Sequence, residues 1–163
     1  MSFFRRGDKR AAASDYTRIL VPIIGDEAVD GPALKVVGLL LTTGQSGEAS
    51  LLNVIEVPFD RNLDADDEAA VARADEILSR AETALEERGV RVRTSTVQAR
   101  AAGPAIVDEA NELGADLILM GLRYKKRFGG QWDAGRTVPY VMRNSTAPVW
   151  CLRAETKELA HTP

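Results

Sequence analysis

With 163 residues, 45% of them hydrophobic, the chain is long enough for one domain with a sizeable core, and nothing in it points to a second. A net charge of -3 argues against nucleic acid as the main partner, and the single cysteine, Cys151, excludes an intrachain disulfide and any zinc site built on paired cysteines. The longest apolar runs fall far short of the roughly 20 residues that a membrane helix needs, so a soluble protein of the reducing cytoplasm is expected.

Residues 1–16 are basic, rich in alanine and without periodicity, which predicts a flexible arm ahead of a domain spanning 17–154. Ile19-Leu20-Val21-Pro22-Ile23-Ile24 is a β-branched run that stops at Gly25, a first strand followed by a loop. Gly31-Pro32 then opens a buried helix over 32–43, with Leu34, Val37 and Leu41 at helical spacing. Residues 50–57 form a second strand ended by Pro58, and an acidic loop leads into a long amphipathic helix over 67–88. Its apolar face carries Ala74, Ile77, Leu78, Ala81 and Leu85, and Gly89 is placed to cap its end.

The alternation from Val90 to Val97 predicts a strand with one wet face at the sheet edge. Gly103-Pro104 opens a helix through Leu113 with Gly114 as its stop, and 116–120 is a buried fourth strand ending against Gly121. A long basic, Gly-rich loop follows, with Arg123, Lys125, Lys126 and Arg127 and the pair Gly129-Gly130. A short helix over 138–144 tolerates Pro139 in its first turn, 147–152 is the fifth strand, and 155–163 is a polar tail. This order predicts an α/β domain: a doubly wound, open, mostly parallel five-stranded sheet with helices on both faces.

Much chemistry is missing. The single histidine, His161, lies in the polar tail, so acid-base or metal chemistry built on histidine has no support. No G-x-S-x-G elbow, P-loop lysine motif or G-x-G-x-x-G occurs, and the acidic residues of 60–68 lack the spacing of a calcium loop. What remains is the loop from Gly121 to Gly135-Arg136-Thr137, which begins at a strand end and closes at a helix start. Such a loop offers free backbone N–H groups and a positive dipole end to an anion such as phosphate.

The strand Arg18-Ile19-Leu20-Val21-Pro22, the strand Leu52-Asn53-Val54-Ile55, the run from Gly114 to Gly121, and Gly135 through Val149 with Tyr140-Val141-Met142-Arg143 occur in an order and spacing that resembles a universal stress protein domain. The resemblance implies a regulatory, homodimeric protein of the adenine nucleotide α hydrolase-like fold that is not an enzyme, paired through the last strand from Ala147 to Leu152. It also implies ATP or AMP as ligand, bound through G-x2-G-x9-G and a following Ser or Thr, with an Asp two residues after the first-strand proline. Carried over by position, Pro22, Val54, Met120, Gly121, Arg123 and Gly135 stand at nucleotide-contacting places. Four departures break the pattern: Ile24 in place of the Asp, Tyr124 in place of the second Gly, one extra residue before Gly135, and Arg136 where Ser or Thr belongs, with Thr137 one place later.

Two readings stay open. In one, the loop is a retuned site for a small anionic ligand, with Gly129, Gly130, Arg136 and Thr137 compensating for the departures. In the other, the domain no longer binds nucleotide and works as a dimerisation or interaction module, with a membrane transporter as partner of the basic arm that follows Phe3-Phe4. A weak ATPase would rest on Asp133, the only acidic residue of the loop.

Overall fold

A computed structural model of the chain describes residues 16–43, 47–64, 67–123, 125–126 and 132–153. The expected arm and tail lie outside the described residues, apart from Tyr16. Strands β1 (Arg18–Pro22), β2 (Glu48–Glu56), β3 (Arg91–Ala99), β4 (Leu117–Gly121) and, after a short hairpin, β7 (Val149–Leu152) build one sheet in the order β3-β2-β1-β4-β7. All four pairings are parallel, so the five-stranded doubly wound sheet is as expected and wholly rather than mostly parallel.

Helices α1 (Glu27–Thr43) and α2 (Glu68–Glu86) cover one face, and α3 (Ala102–Leu113) and α4 (Thr137–Asn144) cover the other. Side-chain alternation in the strands decides which residue faces which layer. Ile19, Val21 and Ile23 enter the core with Val37, Leu78 and Leu85, while Leu20, Leu52, Ile118 and Met120 meet Ile106, Ala110 and Val141. Both faces of the central strands are covered, which is why β1 and β4 read as unbroken apolar runs.

Helix starts and stops follow local chemistry. Asp67 caps α2, its carboxylate accepting from the Ala70 amide at 3.0 Å, and Gly114 ends α3 at φ 57. The sequence places the start of α1 at Pro32, yet the helix begins at Glu27 and Pro32 lies inside it. The Asp26 carboxylate accepts from the Ala28 amide at 3.0 Å, a cap strong enough to start the helix earlier. Pro32 then simply has no N–H to offer the Ala28 carbonyl.

The long loop after β4 also holds structure that was not expected. Residues of β5 (Lys125–Lys126) and β6 (Trp132–Asp133) pair antiparallel, Lys125 with Asp133 and Lys126 with Trp132. Strands of two residues carry no readable period, so sequence patterning cannot announce them. β3 sits at the sheet edge as expected, and β7 forms the opposite edge. Among the described residues, no helix is long and apolar enough to cross a membrane.

Candidate functional site

Along the chain the sheet grows from β1 to β2 and β3 on one side, then crosses back to β4 and β7 on the other. The carboxyl ends of β1 and β4 therefore flank the point where the winding reverses, the place where open α/β sheets leave a crevice. A cleft of about 200 Å³ lies there, and Pro22, Ile24, Val54, Met120, Gly121, Arg123 and Thr137 line it. Leu52, Ala102, Ile106 and Val138 also belong to its walls. The slot is mostly apolar, with its polar groups at the mouth.

Gly121 is set by packing against α1. A Cβ there would fall 2.0 Å from the Val29 carbonyl oxygen and 2.6 Å from its carbon, so only glycine lets the first turn of α1 close over the end of β4. That turn carries Asp30, which is 5% exposed. Its carboxylate accepts from three successive backbone amides, Ile24 at 3.2 Å, Gly25 at 2.7 Å and Asp26 at 3.2 Å. Three amides converging on one anion form a nest, and here the chain fills it with its own carboxylate. Burial pushes the Asp30 carboxyl up from its ordinary value, the three amide donors pull the other way, and the nearby Asp26 charge adds to the rise.

Two further contacts shape the mouth. The buried Asn53 side chain donates from Nδ2 to the Ile23 carbonyl at 2.8 Å, tying the end of β1 to β2. Arg123, expected to grip an anion, donates to the Asp26 carboxylate and so spans the mouth from the β4 end to the β1–α1 loop. Opposite, α4 starts at Thr137 without a side-chain cap hydrogen bond, and its third residue, Pro139, has no N–H. The amides of Thr137 and Val138 are thus the ones that this helix start offers to an anion.

The structure gathers seven of the expected site residues around the cleft: Pro22, Ile24, Val54, Met120, Gly121, Arg123 and Thr137. Gly135, at φ 74, and Arg136 are exposed and do not line it, so the helix start contributes through Thr137 instead. Gly129 and Gly130 lie outside the described residues, as does Tyr124. Asp30 was missed, because a carboxylate in a loop just ahead of Gly31-Pro32 reads as solvated. Ala102, Ile106 and Val138 also line the cleft, and a helical period alone does not say that the core opens at that end.

Residues 15–153 match the model of a family described as the universal stress protein family. The chain belongs to that family. None of the curated proteins matches it. Among solved structures it is similar to the hypothetical protein MJ0577, at 24% identity over 88% of this chain and 99% of that one, with a TM-score of 0.71. It is also similar to the universal stress protein of Archaeoglobus fulgidus in complex with dAMP, at 20% identity over 83% and 97% of the two chains, with a TM-score of 0.67. A third is a universal stress protein family protein of Arabidopsis thaliana with AMP bound, at 14% identity over 90% and 97%, with a TM-score of 0.66. These likenesses show the universal stress protein fold.

Proposed function

We propose that this universal stress protein is a regulatory binding domain whose cleft takes an adenine nucleotide of monophosphate size, AMP in preference to ATP. One observation carries the reading: an apolar slot stands at the β1/β4 switch point with an uncapped helix start, at Thr137, on its rim. The base fits against Val54, Ile106 and Met120, and the phosphate meets the amides of Thr137 and Val138. The dAMP and AMP complexes of relatives support a ligand of this class.

The size preference follows from the cleft. At about 200 Å³ it lies below the roughly 300 Å³ at which pockets for drug-sized ligands begin. Among the described residues, two anion sites that longer phosphate chains could use are already taken, the loop amides by Asp30 and the Arg123 guanidinium by Asp26. Ile24, 52% exposed, offers the ribose no acceptor.

The unit we propose is a homodimer paired through β7. The carbonyls of Pro148 and Leu152 accept from Ile118 and Leu122 of the β4 side, so the backbone groups of Val149 and Cys151 point out of the sheet. An open edge carrying Val149, Trp150, Cys151 and Leu152, all half-buried, gains by pairing with a second copy. The reading assigns no enzymatic step.

A second reading, an interaction module that has lost nucleotide, is favoured by the filling of the loop nest by Asp30. Its partner would be a membrane protein reached by the basic arm. Calorimetric titration with AMP and ATP separates the two readings: saturable AMP binding supports the first, and no heat with either at millimolar ligand leaves the second.

A further inference from the structure

A second cavity lies on the opposite face of the sheet, between α1 and α2, and at about 340 Å³ it is larger than the cleft. Ile23 and Asp30 line both, so the end of β1 and the turn after it form the wall between them. The floor is apolar, made by Leu34, Ile77, Ala81 and Leu85. Gly31 keeps it open, because a Cβ there would meet only the Glu27 Cγ, at 3.9 Å. Gly25, at φ 83, closes one end by laying the loop on Ile77, where a Cβ would stand 2.7 Å from Cδ1.

Lys35 of α1, Arg80 of α2 and Arg88, two residues beyond the end of α2, line this cavity, and none of the three forms an ion pair with a described residue. Arg88 lies across α1, with Cδ and Nη1 both 3.3 Å from where a Gly38 Cβ would stand. The acidic lining residues, Glu27 and Asp30, stand earlier on α1, and Asp30 is engaged by the loop amides. Glu27 is about 12 Å along the helix axis from Lys35, and Arg80 lies one turn from the Ile77 that packs on Gly25, so Glu27 and Arg80 stand toward one end of the cavity and Lys35 and Arg88 toward the other.

We infer that this groove is a second ligand site, for a small amphipathic carboxylate. Its apolar chain lies on Leu34, Ile77, Ala81 and Leu85, and its head group meets Lys35 and Arg88. Charge complementarity selects the sign: Lys35 and Arg88, neither ion-paired with a described residue, stand together at one end of an apolar floor in a chain whose net charge is -3. Guanidinium groups hold a carboxylate through paired hydrogen bonds, and the floor shields an alkyl chain from water. A nucleotide suits the groove poorly, since the floor gives its base and sugar no polar partner. The site stands whether or not the cleft binds nucleotide.

The test is a titration of the full chain with decanoate, and with decylamine as the oppositely charged control, followed by calorimetry and amide NMR shifts. Decanoate should saturate with shifts at Gly31, Lys35 and Ala84, and decylamine should bind at least about tenfold more weakly. Gly31→Leu, which places its side chain in the groove and suits a helix, should abolish binding. Lys35→Gln with Arg88→Gln leaves the apolar floor of the groove in place, so it carries the test if Gly31→Leu does not fold; it should weaken decanoate about tenfold. The inference is overturned by no decanoate binding at millimolar ligand, by equal binding of decylamine, by shifts confined to Val54 and Met120 of the cleft, or by an unchanged Kd in the double variant.

Discussion

Gly121→Ala separates two roles that glycine can have at a strand end, access for a ligand's phosphate and access for a neighbouring helix. The added Cβ would sit 2.0 Å from the Val29 oxygen and 2.7 Å from Val29 Cγ1. Real Cβ contacts stay above 3.0 Å, so the first turn of α1 must withdraw by about 1 Å. Backbone at a capped helix start gives way less readily than a side-chain tip, which puts the cost at the upper end of overpacking, about 3 kcal/mol. For a chain of 163 residues that corresponds to a fall in Tm of roughly 6–12 °C. Urea and thermal unfolding without ligand measure it. A loss below about 1 kcal/mol would refute the packing argument and leave Gly121 with a ligand role alone.

Three further outcomes follow from the same geometry. The Asp30 carboxyl is raised in the fold, so the stability it contributes is fully present below its unfolded value near 3.8 and is lost as pH rises through the folded value. Urea unfolding should therefore show the stability of the native chain relative to Asp30→Asn falling as pH rises above 3.8; a difference that grows with pH would contradict the burial argument. Asp26→Asn keeps the cap on α1 but frees Arg123, so stability should change by less than about 1 kcal/mol while AMP binding tightens severalfold by calorimetry. Unchanged affinity would show that Arg123 does not reach the ligand. Cys151→Pro removes an outward donor of β7 and should convert the proposed dimer to monomer in light scattering, whereas a dimer that persists places the interface elsewhere.

The layered architecture was readable because strong local signals agreed. Apolar runs such as Leu117 to Met120 could only be buried strands, and the crossovers between them imposed a parallel sheet. The start of α1 was misread because Gly31-Pro32 is a familiar helix opening, and the Asp26 cap overrode it. At the candidate site, Pro22, Val54, Met120 and Gly121 all line the cleft because each strand's direction fixes where its end lies. Loop residues were less legible. Arg123 reaches the mouth, but its charge is met by Asp26, a partner that lies 97 positions away and that no local pattern reveals. Asp30 escaped notice for a related reason, since only the folded loop brings the amides of residues 24–26 onto its carboxylate.

The measurement that bears most directly on the proposed function is a calorimetric titration of the native chain with AMP, repeated on Val54→Phe, which fills the slot from β2. The cleft reading predicts one saturable site per chain for AMP, weaker binding of ATP, and loss of AMP binding in the variant while its thermal transition remains. Absence of saturation at millimolar AMP, or equal affinity in Val54→Phe, would contradict it.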